Sequence, residues 1–222
     1  MIRDAWLVCR KELRIEARSR VTLSHVLPFV LAVTMLFAFA LDAESTILRR
    51  ATPGLFWVTV LFAATMITQR MAAIDRLDGL GDALRMSGLS PAGMFLGKTA
   101  ALTVQLVATE VTLAVAMVVM YDVRLRGIAL IAVATPVATI AIAAAGSLYG
   151  PLAAGLRGRE SVLPLLILPI LAPVLLAATR AFDVAFGTVV GAGWPWVAML
   201  GMLAATYVLA GAATAAVVLE ET

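Results

Sequence analysis

Six apolar runs divide this chain, at residues 21–41, 55–69, 94–121, 128–152, 162–179 and 196–219. A helix needs about 20 apolar residues to cross a bilayer, and backbone inside lipid must satisfy its own hydrogen bonds, which favours helices. With 62% hydrophobic and 14% charged residues and a mean hydropathy of +1.00, a soluble fold is excluded. The sequence therefore predicts an all-α membrane protein of six transmembrane helices, forming one transmembrane domain over 1–222. The connections are too short for a water-exposed catalytic domain, so nucleotide hydrolysis would have to come from another chain.

Residues 1–20 precede the first run and form a patterned helix. Ile2, Trp6, Cys9 and Leu13 share one face, while Arg3, Arg10, Lys11, Arg14 and Arg18 spread over the rest. That pattern predicts an interfacial helix on the inner leaflet, with Trp6, Arg10, Lys11 and Arg14 meeting membrane lipid. A cleavable signal would use the same basic start and the Ala38-Phe39-Ala40 site, but this region is long and contains Asp4, Glu12 and Glu16.

Between the second and third runs lies a polar island, RMAAIDRLDGLGDALRMSGLSPAGMFLGK, from Arg70 to Lys98. At 100° per residue, Leu77, Leu80, Leu84 and Gly88 fall opposite Asp75, Asp78, Asp82 and Arg85. Gly79 and Gly81 each weaken a helix by about 1 kcal/mol relative to Ala. So short a helix needs a surface, either a partner protein or the lipid headgroups and its own bundle. Ser90 and Pro91 then supply the N-cap and first residue of the next helix. Lys98 lies about two turns in, where it can reach back to the interface.

Lys and Arg accumulate on cytoplasmic loops. Placing the N-terminus inside puts twelve of the 17 there and leaves five outside, at Arg49, Arg50, Arg124, Arg126 and Arg180. This predicts both termini and the 70–93 segment in the cytoplasm. The same bias accounts for the net charge of +3, so nucleic acid is not invoked.

Within the runs, Glu110 is the intramembrane polar residue, facing a cavity, a partner, or a hydroxyl or backbone group of the bundle. Pro164, Pro169 and Pro173 predict a kinked or broken fifth span suited to act as a hinge. The segment 180–195, with Phe182, Phe186 and Trp194-Pro195-Trp196, is apolar enough to predict an outer re-entrant or surface-lying element. Cys9 is the only cysteine, so no disulfide forms within the chain. His25 is the only histidine and reads as an interfacial or packed residue rather than a metal or haem ligand. Neither HExxH, GxSxG, Walker A nor CxxCH occurs, so the chain itself is expected to be non-catalytic, with no metal site and no cofactor of its own.

Four stretches in order, RKELRIEARSR (Arg10 to Arg20), GLFWVTVLFAATMITQR (Gly54 to Arg70), LDGLGDALRMSGLSPAGMFLGK (Leu77 to Lys98) and GRESVLPLLILPILAPVLLAA (Gly158 to Ala178), resemble the haem exporter protein B (CcmB) family of cytochrome c maturation. The chain departs from the family pattern in carrying Asp, at Asp75 or Asp82, where Glu is usual, and in a more Gly-rich island. The resemblance implies an ABC-2-like half-permease in the bacterial inner membrane that forms a homodimer and binds a separate ATPase subunit carrying ATP and Mg. Further membrane subunits and a haem chaperone would handle haem, the ATP-driven step being haem delivery or release of the loaded chaperone. By position, Leu77, Asp78, Leu80, Asp82, Leu84 and Arg85 would form the coupling helix in a cleft of the ATPase. The same architecture also serves permeases for a lipid, polysaccharide or drug, and the parts alone also suit a membrane assembly scaffold.

Overall fold

The computed structural model describes residues 1–20, 22–41, 46–76, 88–123, 125–155 and 162–220. Every regular element among them is helical. They are α1 (Ile2–Ser19), a π-helical turn (Thr22–Val26), α2 (Leu27–Ala40), α3 (Thr46–Arg76), α4 (Pro91–Tyr121), α5 (Ile128–Gly155), α6 (Val162–Phe186) and α7 (Trp194–Glu220). Five of these, α3 to α7, are long and apolar enough to cross a membrane. The remaining expected span, residues 21–41, corresponds to the π turn and α2, and α1 meets the Ser24–Ala40 stretch at a bend of 57°. α2 alone is about 21 Å long, short of the ~30 Å hydrocarbon layer, and the π turn extends it.

α4 and α5 form the centre. α5 packs on α3, α4, α6 and α7, while α4 also receives α1 and α2. The reason is side-chain size: Ala134, Ala138, Ala141, Ala143, Ala144 and Ala145 of α5 are all essentially inaccessible, and their small volume lets neighbouring backbones approach. Gly146 continues this surface, where an added Cβ would stand 2.8 Å from Thr68 Oγ1. One end of the bundle is filled by Phe56, Trp57, Phe182 and Phe186, with successive ring centroids 5.1 to 5.3 Å apart. There Tyr121 closes α4 by donating its hydroxyl to the Thr34 carbonyl, at 2.7 Å.

Three boundaries differ from the sequence expectation. First, α3 runs from Thr46 through Pro53 to Arg76, so 70–76 is the end of a span-bearing helix rather than the start of a separate docking helix. Ion pairs from Arg70 and Asp75 to neighbouring helices support those last turns. Second, α6 is helical through Pro169 and Pro173, so of the kinked and broken forms expected for this span it does not take the broken one. Third, residues 180–186, read as part of an outer re-entrant or surface-lying element, are the last turns of α6. Phe182 and Ala185 there are buried in the core, and the Ala185 carbonyl accepts the Gly127 N–H at 2.8 Å. Gly187, at a φ of +73°, then turns the chain toward α7.

Glu110 is 2% exposed in the middle of α4. Thr139 of α5 reaches it, with Oγ1 2.7 and 2.8 Å from the two carboxyl oxygens. This is the within-bundle hydroxyl contact foreseen as one role for that residue. Thr139→Val removes the only polar partner that Glu110 has among the described residues, and leaving a buried acceptor unmade costs about 1–3 kcal/mol. The expected outcome is a lower unfolding temperature in detergent, with Thr139→Ser close to wild type. An unchanged temperature for Thr139→Val would remove this link between α4 and α5.

Candidate functional site

The six residues expected to couple to an ATPase, Leu77, Asp78, Leu80, Asp82, Leu84 and Arg85, lie outside the described residues. Both ends of their segment are described, and both meet α1. On the entry side, Asp75 in the last turn of α3 pairs with Lys98 of α4 and stands 3.5 Å from Lys11 Nζ of α1. Lys11 also pairs with Glu12 at 2.8 Å, and Glu12 is 3% exposed. On the exit side, Gly88 sits at a φ of +71°, and Ser90 follows as the N-cap of α4 with Pro91 behind it. The sequence placed that cap correctly. Its hydroxyl, however, does not bond to its own helix. Ser90 Oγ and N–H instead donate to one carboxyl oxygen of Asp4 on α1, at 2.7 and 3.2 Å. Asp4 thus places a negative charge on the positive end of α4 from another helix.

Those contacts require α1 to lie very close to α4, and two glycines allow it. A Cβ on Gly97 would stand 2.6 Å from both the Ala5 carbonyl oxygen and Val8 Cβ, and one on Gly93 2.8 Å from Asp4 Cβ. Val8, Cys9 and Glu12 form the buried face of α1. The face drawn from the sequence is therefore split: Cys9 is buried against the bundle, while Ile2 is 86% and Trp6 66% exposed. Arg10 and Arg14 are exposed, as an interfacial role requires, but Lys11 is drawn into the ion pairs. Burial pushes the Cys9 thiol above its ordinary pKa, which makes it a poor nucleophile.

Further along, Glu16 of α1 accepts from Arg70 of α3 at 2.7 Å and from the Thr22 N–H at 2.7 Å. Arg70 also reaches Ser19 Oγ at 2.8 Å. Beside this junction a cleft of about 60 Å³ is lined by Glu12, Glu16, His25, Arg70 and Gln105 among others. That volume is far below the few hundred Å³ of a cofactor pocket and suits a few waters. His25 is exposed, with Nδ1 2.9 Å from Ser24 Oγ. Among the described residues no cluster of His, Cys, Asp and Glu is arranged to hold a metal. Of the remaining expected residues, Glu110 lies in the bundle interior, Pro169 is exposed on α6, and Pro164 lies in its first turn.

Sequence reasoning missed Asp4, Glu16, Gly93 and Gly97. The spacing of Gly93 and Gly97, one turn apart at the start of α4, was the available signal for a close helix approach. No local pattern pairs Asp4 with Ser90, 86 residues away.

The family model described as "CcmB protein" matches residues 3–220. Among curated relatives, Heme exporter protein B of Escherichia coli (strain K12) is 30% identical over 215 residues, covering 95% of this chain and 96% of that protein. The Heme exporter protein B of Pseudomonas aeruginosa is 27% identical over 201 residues, 90% of each. That of Haemophilus influenzae is 26% identical over 205 residues, 90% of this chain and 89% of the relative.

Two outcomes follow from the α1 dock. Gly97→Ala forces a methyl onto the Ala5 carbonyl, so trypsin should cut after Arg10 and Arg14 faster than in wild type; equal cleavage would contradict the packing. The two Ser90 hydrogen bonds hold the Asp4 carboxyl down at about 2, the hydroxyl contributing most. Because the folded pKa lies below the unfolded value of about 3.9, the contact contributes fully above about pH 4 and is lost as pH falls through about 2. Hydrogen exchange of the α1 amides should stay slow down to about pH 4 and lose its Asp4-dependent protection near 2, with Asp4→Asn unprotected throughout.

Proposed function

Since this chain belongs to the CcmB family, we propose that it is the permease subunit of an ABC transporter for cytochrome c maturation in the bacterial inner membrane. It couples ATP hydrolysis by a separate subunit to haem delivery or to release of a haem-loaded chaperone. The observation that carries this reading is the family match over residues 3–220, nearly the whole chain. The helical bundle supports it: five of its helices are long and apolar enough to cross a membrane, as a permease subunit requires.

In this reading both termini face the cytoplasm, two copies of the chain pair, and each presents residues 77–85 to one ATPase. Leu77, Leu80 and Leu84 pack into a cleft of the ATPase, while Asp78, Asp82 and Arg85 set the orientation by charge. Haem is cargo of the assembly, handled with other membrane subunits and the chaperone.

The test is affinity purification of the tagged chain in mild detergent, with partners identified by mass spectrometry and haem read from the absorbance of the eluate. An ATPase together with cytochrome-maturation subunits is expected. An ATPase with other partners would assign a different cargo, and no ATPase would leave a scaffold. In the purified complex, Asp78→Lys with Asp82→Lys should abolish the change in ATPase rate that the permease imposes, with membrane insertion retained. An unaltered rate would remove the coupling assignment.

A further inference from the structure

At the end of the bundle opposite α1, the loop between α6 and α7 and the start of α5 form one platform. The Ala185 carbonyl accepts from the N–H groups of Arg126 and Gly127, at 3.2 and 2.8 Å. Gly193 lies so close to Leu130 that an added Cβ would clash with its side chain. The Arg126 side chain crosses Gly187, whose missing Cβ leaves room for it. We infer that this platform is seated in the headgroup layer of the membrane, its apolar side chains meeting acyl chains and Arg126 holding a phospholipid phosphate.

The platform turns its polar groups inward and its apolar ones outward. The Gly187 N–H donates to the Val184 carbonyl, and the Thr188 and Val189 N–H groups and the Thr188 hydroxyl donate to the Asp183 carbonyl. Thr188 Oγ1 also lies 3.2 Å from the Asp183 carboxylate, which Arg180 faces at 3.7 Å. Outside, Val190 is fully exposed, Ile128 and Trp194 are more than half exposed, and Leu125 and Val189 nearly half. Water would penalise that apolar surface, whereas lipid requires backbone groups to be satisfied internally.

The level is set by the spans themselves, since α6 ends at Phe186 and the spans of α5 and α7 begin at Ile128 and Trp194. Trp is suited to that boundary. Trp194 also continues the exposed face of α7 through Ala198, Met202 and Leu209 at helical spacing. Arg126 is exposed, and its guanidinium has no ion pair among the described residues. A guanidinium beside apolar side chains at this depth matches a phosphate above acyl chains. An acidic protein surface would match Arg126 but not the apolar remainder of the platform.

The test uses the whole chain in nanodiscs of phosphatidylethanolamine and phosphatidylglycerol, in a Cys9→Ser background. A nitroxide at Val190→Cys is compared for relaxation by oxygen, which concentrates among acyl chains, and by a water-soluble nickel chelate. Labels at Val104, exposed within the span of α4, and at Arg49, an exposed charged residue paired with Asp122 at the end of α4, mark lipid and polar surroundings. The Val190 label is expected to resemble Val104, accessible to oxygen and shielded from the chelate. Chelate access equal to that at Arg49 would place the loop in water, and protection from both reagents would place a second copy or another protein over it. Either result overturns the lipid seat. Arg126→Gln should raise chelate access at Val190 about fivefold, the effect of one basic residue at an anionic surface, with Arg126→Lys close to wild type. No rise with Arg126→Gln would remove the phosphate contact.

Discussion

The close approach of α1 to α4 is the contact on which the rest of this end of the molecule depends. Gly93 and Gly97 remove the side chains that would hold the helices apart, and the backbone of Ala5 then lies where a Cβ would be. At that separation Asp4 reaches the N-terminus of α4, Lys11 reaches Asp75, and Glu16 reaches Arg70. The ion pairs are largely shielded, with side chains 15–25% exposed, and the Asp4 contact is a charge-assisted hydrogen bond. Their effect is orientational: several of them on one short helix fix its direction and rotation. An amphipathic helix that rested on lipid through its apolar face would have neither.

Inside the bundle the constraint is different, because lipid cannot solvate polar groups. The chain meets it by pairing many of them with a neighbour, although Trp57 Nε1 and the hydroxyls of Thr99, Thr135 and Ser147 are buried with no hydrogen-bond partner among the described residues. Thr34, Thr52, Thr59 and Thr109 return their hydroxyls to carbonyls one turn back. Glu110 is met by Thr139, and Tyr121 by the Thr34 carbonyl. Small residues on α5 bring the remaining helices into contact without a polar group to satisfy.

Much of the architecture was legible in the sequence because hydropathy and length act over whole segments. All the long spans, the separate amphipathic helix at 2–19, and the start of α4 at Ser90 and Pro91 were read correctly. The ends of helices were harder. Arg180 signalled an exit from the membrane, yet α6 continues to Phe186 because Phe182 and Ala185 are buried by other helices. Arg70 signalled the same for α3, yet Glu16 and Ser19 receive it. In both cases a tertiary partner stabilised helix where local polarity predicted a boundary. The face of α1 was misjudged for a related reason: two glycines on another helix made Val8 and Cys9 the buried positions, leaving Trp6 outside.

In this member of the CcmB family, the N-terminal helix is tied to two of the long helices. That α1 is docked on the start of α4 and the end of α3, rather than lying free on the lipid, is the central claim of this account. The most direct measurement is the distance between spin labels at Arg10 on α1 and Val104 on the exposed side of α4, in lipid nanodiscs and a Cys9→Ser background. A single narrow distance distribution is predicted, broadened by Gly97→Ala. A broad distribution in the unaltered helices would show α1 lying free on the lipid, and would contradict the account.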